Sequence, residues 1–168
     1  MKFLEPQSYQ PLAQELFEQL SLKIERALPG SRIEHIGSSS IQGAISKGDL
    51  DIFVGVESVE LQGAITVIES LGFRVKSGSF KNDSLCPFES DVYPLAVGLQ
   101  LVANGSEFEY FLTFRDRLNS DPDLRSAYNV LKRDARHLDE DEYRKLKSNF
   151  IERVLSRSLG GAGRGPAL

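Results

Sequence analysis

The feature that most constrains this chain is a Gly-Ser turn, Gly37-Ser38, separated by ten residues from an Asp-x-Asp pair, Asp49-Leu50-Asp51. Side chains alternate along a strand, so Asp49 and Asp51 are expected on one face, with Leu50, Ile52 and Val54 alternating around them. Two carboxylates held side by side repel, and a fold keeps such a pair most readily around a divalent cation or a ligand that brings one. The turn supplies the complementary half. A small residue after glycine lets backbone N–H groups and one hydroxyl come close to phosphate oxygens, and a following helix N-terminus adds positive potential.

The hydrophobic periodicity around this stretch predicts an α/β (α+β) chain. From Tyr9 to Leu28, the residues Leu12, Leu16, Leu20, Ile24 and Leu28 recur every four, with Phe17 alongside, as in an amphipathic helix closed by Pro29-Gly30. Strands are expected at Arg32 to Ile36, Asp49 to Val56 and Phe73 to Lys76, and a helix over Ser58 to Leu71, closed by Gly72. Ser77 to Ser90 has no period and reads as a loop or frayed hairpin, while Val92 to Ala103 reads as a strand with its start limited by Pro94. Beyond Gly105, the capping patterns Ser106/Glu109, Asp121-Pro122 and Asp139/Glu142 predict three helices, at roughly 106–119, 122–137 and 139–158. The expected architecture is a single domain over residues 1–158: a mixed sheet flanked by helices, core about 9–104, then a C-terminal helical section, about 106–158. The Gly-rich end, 159–168, has nothing to bury and is expected to be a flexible tail.

A chain of 168 residues is long enough for one domain with a real core. No apolar run approaches membrane-spanning length and the N-terminus lacks a signal-peptide pattern, so a cytoplasmic location is the expectation. Cys86 is the lone cysteine, which rules out an internal disulfide and a structural zinc cluster. A net charge of −4 argues against bulk adhesion to nucleic acid, which needs Lys and Arg to neutralise phosphates, and leaves room for a small phosphorylated ligand.

At the Gly-Ser turn and the Asp pair the chain resembles the nucleotidyltransferase superfamily that includes polymerase β. More specifically it is similar to the GrpB-like family. The shared blocks are His35-Ile36-Gly37-Ser38, Lys47 to Ile52, Phe114-Arg115-Asp116-Arg117-Leu118, Pro122, Tyr128 to Lys132 and Tyr143 to Ile151. The resemblance implies a nucleotidyltransferase-like core with Mg²⁺ and a nucleoside triphosphate between the turn, the Asp pair and the C-terminal helices. Asp49 and Asp51 would be the metal ligands and catalytic carboxylates, and Gly37, Ser38 and Lys132 would contact phosphate. Many relatives keep only the aspartate at the position of Asp51, so Asp49 restores the pair. The third carboxylate of active superfamily members has no clear counterpart: Gln100 occupies a comparable place and cannot act as a general base near neutral pH, leaving Glu89 or Asp91 as substitutes if the preceding loop folds back.

Other residues have two readings each. Ser39 offers a hydroxyl to phosphate or simply fills a turn, and Lys47 contacts phosphate or screens the aspartates. His35 reads as an imidazole orienting the turn, and Arg115 with Asp116 as an ion pair locking helix to core. Tyr128 and Lys132 lie four apart on one helical face, as do Tyr143 and Lys147. The leading expectation is a Mg²⁺-dependent nucleotidyltransferase-like protein with an unidentified hydroxyl acceptor. The alternative is a non-catalytic nucleotide- or phosphometabolite-binding module with an incomplete carboxylate triad, and a third is an interaction domain that keeps the fold for its surface. Polymerisation is disfavoured by the small size and acidic balance.

Overall fold

The structure, a computed structural model, describes residues 1–157; the tail expected at 159–168 lies outside the described residues. It opens with α1, Pro6–Ala27, whose proline start suits a helical first turn because the missing N–H has no intrahelical partner there. The buried stripe is Tyr9, Ala13, Leu16, Leu20 and Ile24, whereas Leu12 is 44% exposed. A strict spacing of four drifts by about 40° per step around a helix of 3.6 residues per turn, so the stripe stays on one face only by mixing steps of three and four. Leu12 falls off that face, which corrects the sequence expectation.

The strands are β1 (Arg32–Ile36), β2 (Leu50–Val56), β3 (Arg74–Val75), β4 (Leu85–Ser90) and β5 (Val97–Ala103), with α2 (Leu61–Ser70) between β2 and β3. They form one sheet in the order β1-β2-β5-β4-β3, where β2 and β5 run parallel and every other pair is antiparallel. Two boundaries depart from expectation. Of the loop and the hairpin expected over Ser77 to Ser90 the structure has the hairpin, with Leu85–Ser90 a regular strand antiparallel to β3: its residues are covered on both faces, Leu85, Cys86, Pro87 and Phe88 all being buried, so no period of two survives in the sequence. Pro87 explains why its outer neighbour is so short. Lys76 N donates to Pro87 O (2.9 Å), but Pro87 has no N–H to return, and β3 stops at Val75. The strand expected from Val92 begins instead at Val97, after an exposed turn containing Pro94.

After β5 come α3 (Tyr110–Ser120), α4 (Pro122–Asp134) and α5 (Glu140–Ser156). Asp121 caps α4 by accepting from Asp123 N and Leu124 N, and Asp139 with Glu142 forms the expected capping box on α5. The entry to α3 differs: Glu107–Glu109 is a 3-10 turn, and Glu109 accepts from Gly105 N rather than completing a box with Ser106.

One sheet face, with Leu50, Ile52, Val54, Phe88 and Leu99, packs on α1 and α2. On the other, Ile36, Phe53, Leu85 and Val102 lie under Phe108 and Leu112. The helices α3, α4 and α5 share a third cluster, Phe114, Leu118, Tyr128, Phe150 and Val154, into which Ile41 and Ala44 of the β1–β2 connection insert. Among the described residues, no helix is long and apolar enough to cross a membrane.

The revised α1 stripe is directly testable by chemical denaturation. Leu16→Ala, at a position 4% exposed, is expected to cost about 3 kcal/mol, and Leu12→Ala about 0.5 kcal/mol or less. Equal losses would contradict the observed face.

Candidate functional site

The site begins where β1 leaves the sheet. Gly37 has φ +69°, a region that favours glycine, and a Cβ built there would overlap the carboxylate of Asp51. Asp51 sits on β2 opposite Ile36 on one side and Gly98 of β5 on the other. A Cβ at Gly98 would come within 2.6 Å of Asp51 Oδ1. The carboxylate therefore occupies a slot that exists because two neighbours lack side chains.

From Gly37 to Ile45 the chain has a 3-10 turn, Ser38–Ser40, but no strand ladder; turn bonds and a bridge from Ser46 to Leu4 hold part of its backbone, and side chains from distant helices hold the rest. Tyr9 Oη donates to Ala44 O (2.7 Å) and Ser38 O (3.1 Å), and Gln10 Nε2 donates to Ile41 O (2.7 Å). Asn119 of α3 donates to Ser40 O and accepts from Gln42 N, both at 3.0 Å. Asn129 of α4 donates to Gly43 O (2.8 Å) and accepts from Ile45 N (3.0 Å). Lys132, also on α4 and only 1% exposed, donates through Nζ to Ser38 Oγ (2.6 Å) and Ile45 O (2.5 Å), with Nζ 4.0 Å from the centre of the Tyr128 ring.

These elements enclose a cavity of about 290 Å³. Gly37, Ser38, Lys47, Asp49, Asp51, Gln100 and Lys132 all line it, so residues read from four separate stretches of sequence meet at one place. Tyr128, Tyr143 and Lys147 also line it, which puts both tyrosine–lysine pairs on inward-facing helix sides. Asp49 lies just before β2 rather than in it, and Ser46 Oγ donates to its Oδ1 (3.1 Å). At the mouth, Lys47 Nζ contacts both carboxylate oxygens of Glu140 at 2.8 Å, and Arg144 lies 3.5 Å from the same group.

Electrostatically the cavity sets like charges side by side. Burial, and then the charge of Asp49, push the Asp51 carboxyl up to about 7, against the pull of Lys147, Lys76 and Lys132. Burial, and then Lys147, hold the Lys132 ammonium well below the ordinary lysine range. Lys147 is shifted the other way, by the Tyr128 hydroxyl against a burial effect of opposite sign, with Tyr143, Asp51 and Asp49 also raising it.

Several expected residues are elsewhere. Ser39 is not in the cavity wall: its hydroxyl meets His35 Nε2 (2.8 Å) in a separate open groove, so it leaves the phosphate-contact set. His35 stacks on Phe17 at 4.8 Å, and its Nδ1 meets Gln14 Oε1 (3.1 Å); burial and Arg115 lower it to about 4. Arg115 ties α3 to β1 through Glu34 (3.0 Å) and His35 O (3.0 Å), besides Asp116 (2.8 Å). Glu89 and Asp91 pair with Arg74 at 3.3 and 3.2 Å and do not line the cavity, whereas Gln100 does. Sequence reasoning missed Tyr9, Gln10, Asn119 and Asn129, whose role follows from a buried irregular backbone and has no local signal. It also missed Glu140, Lys76 and the stacked pair Tyr110–Phe111 (4.4 Å) on the cavity wall.

The family model of the GrpB protein matches residues 5–157. A UPF0157 protein of Vibrio cholerae is 45% identical over 158 residues, which cover 94% of this chain and 84% of that protein. One from Deinococcus radiodurans is 31% identical over 144 residues, covering 84% and 75%. Among solved structures, the conserved protein GrpB from Enterococcus faecalis is similar with a TM-score of 0.67 at 21% identity, over 92% of this chain and all of that one. A cytoplasmic RNA terminal U-transferase gives 0.56 at 15% identity, and the Cid1 poly(U) polymerase with Mg 3'-dATP bound gives 0.55 at 16%. The alignments cover 76% and 75% of this chain but only 40% and 41% of those enzymes, and they show a shared nucleotidyltransferase-like fold.

The slot around Asp51 predicts an asymmetry. Gly98→Ala is expected to destabilise the protein, and Asp51→Ala to relieve it, with a coupling of about 2 kcal/mol in a denaturation cycle. Gly37→Ala is relieved only in part, because its Cβ would still meet Asp51 Cβ at 2.8 Å and because φ is positive. Equal relief of both, or relief of neither, would contradict the geometry. The proton affinity of Asp51 gives a second expectation. A carboxyl raised from 3.8 to about 7 binds its proton more tightly folded than unfolded, so in metal-free protein its contribution is full below about pH 4 and is lost as pH rises through 7. Stability curves of wild type and Asp51→Asn should diverge in that window, with the asparagine variant gaining relative stability toward alkaline pH.

Proposed function

The chain belongs to the GrpB family, and from that premise we propose that it binds a Mg²⁺–nucleoside triphosphate in the cavity and acts on it as a nucleotidyltransferase. The observation that supports this most is the meeting of the Asp49/Asp51 pair with the Gly37-Ser38 turn and Lys132 at one cavity. Two adjacent carboxylates are a hard oxygen donor set of the kind Mg²⁺ takes, and the raised Asp51 carboxyl is what such a pair shows when no cation separates it. When bound, the metal neutralises triphosphate charge and aligns phosphorus for in-line attack.

The remaining groups suit the rest of a nucleotide. With the carboxylate charge offset by a divalent cation, Lys76 and Lys147 are left facing an anion, and Ser38 and Lys132 add hydrogen-bond donors. Tyr110 and Phe111 present an aromatic surface suited to a planar base. The cavity of about 290 Å³ is at the small end of ligand sites, which favours one nucleotide over a polymer.

One observation favours a second reading, binding without turnover. Gln100, which the family resemblance sets against the third carboxylate, lines the cavity as an uncharged amide, while Glu89 and Asp91 are engaged by Arg74. Thermal melting with Mg²⁺ and each of the four ribonucleoside triphosphates tests the binding both readings require. Saturation near a hundredfold above the dissociation constant should stabilise the protein by about 2.7 kcal/mol, and Asp51→Ala should abolish the shift. No shift with any nucleotide would sink both. Pyrophosphate release then separates transfer from binding.

A further inference from the structure

The cavity holds a base and a hydroxyl that the carboxylate count leaves out. Lys132 Nζ lies 2.6 Å from Ser38 Oγ, inside the range of a nucleophile and its general base. Its other polar partner is the carbonyl of Ile45, and no carboxylate lies within ion-pair distance of it among the described residues. A lysine 1% exposed with two uncharged partners is held most cheaply as a neutral amine. Lys147, Tyr128 and Tyr143 also face this cavity; Lys147 reinforces the neutral form, while Asp49, Asp51 and the face of the Tyr128 ring, 4.0 Å from Nζ, oppose it. A neutral amine keeps a proton for Ile45 O and turns its lone pair toward the Ser38 hydroxyl across the same contact.

Resting on the nucleotide-binding reading above, we propose that Ser38 of this chain is itself a nucleotidyl acceptor, with Lys132 as its general base. Gly37, the residue before Ser38, abuts the carboxylate of Asp51, so the hydroxyl is one residue from the acidic pair that would position the reacting phosphorus. Ser38 Oγ forms a bond to the α-phosphorus, the bond from that phosphorus to the bridging oxygen breaks, and pyrophosphate leaves with the electron pair. The hydroxyl proton passes to Lys132 Nζ. The product is a nucleotidyl phosphodiester on Ser38, made without an added acceptor and without a third carboxylate.

The test is intact-mass spectrometry and peptide mapping of wild-type protein after incubation with Mg²⁺ and each ribonucleoside triphosphate. One nucleotidyl mass should appear at Ser38, be absent from Ser38→Ala, and form about a hundredfold more slowly in Lys132→Met, with folding of both variants checked by melting. A fluorophosphonate probe, applied without metal or nucleotide, should label Ser38 in wild type and not in Ser38→Ala. Wild-type protein whose melting responds to Mg²⁺-nucleotide but that gains no nucleotidyl mass, or gains it at another residue, overturns the proposal. Absence of any nucleotide response overturns the binding reading instead, and the fluorophosphonate result then still reports whether Ser38 and Lys132 form a reactive pair.

Discussion

A buried stretch of chain with no strand ladder is the constraint on which the rest of this structure depends. Residues Ile41, Ala44 and Ile45 of the β1–β2 connection are fully covered, and a backbone that enters the interior without a ladder must find partners for its N–H and C=O groups or lose about 1–3 kcal/mol for each. Turn bonds within the connection take the N–H groups of Ile41 and Ala44, and side chains take the carbonyls and the remaining N–H groups: Tyr9 and Gln10 from α1, Asn119 from α3, Asn129 and Lys132 from α4. Each asparagine uses both ends of its amide, donating to one residue of the connection and accepting from another two positions away. The conformation of the Gly37-Ser38 turn is thereby set by helices about 80 to 90 residues further along, and the C-terminal section is a structural part of the site.

The close packing at Asp51 follows from the same crowding. Its carboxylate fills the space that side chains at Gly37 and Gly98 would need, which fixes its direction toward the cavity and brings the turn against it. No neighbouring side chain donates to this carboxylate among the described residues; the nearby hydroxyl of Ser46 goes to Asp49. Burial without such a donor is what makes the proton hard to remove, and the adjacent Asp49 charge adds to it.

What could be read from sequence is what is local. The Gly-Ser turn, the Asp-x-Asp spacing, the caps at Asp121 and Asp139 and the inward pairs Tyr128/Lys132 and Tyr143/Lys147 each announce themselves within a few residues. What could not be read depends on a third dimension. β4 is covered on both faces, so its alternation is erased, and Pro87 masks it further, although its missing N–H faces the short outer strand. The serines show the same limit at finer scale. A 3-10 turn rotates successive side chains by about 120°, so Ser38 reaches Lys132, Ser39 reaches His35 and Ser40 returns to Gly37 O (2.7 Å). Only one of three neighbouring hydroxyls enters the cavity, and the sequence does not say which.

The cavity is therefore held in an electrostatically unfavourable state by a fold whose stability lies elsewhere. Asp49 raises the proton affinity of Asp51 from one side, and Lys147 lowers that of Lys132 from the other, so each like-charged pair is relieved by neutralising one member. The two pairs do not cancel by direct ion pairing: no Asp49 or Asp51 oxygen lies within 4 Å of a Lys or Arg nitrogen among the described residues, while Lys47 is already taken by Glu140. In the isolated chain the relief comes through protons, held more tightly on Asp51 and more loosely on Lys132. A metal–polyphosphate would supply the missing charges in matching order, cation beside the carboxylates and anion beside Lys76 and Lys147, and would exchange the proton on Asp51 for a direct contact while Lys132 keeps its neutral form. The large apolar layer between the sheet and α1/α2 makes no contribution to this chemistry, and for that reason it can keep the site in place while the charges inside it remain unpaired.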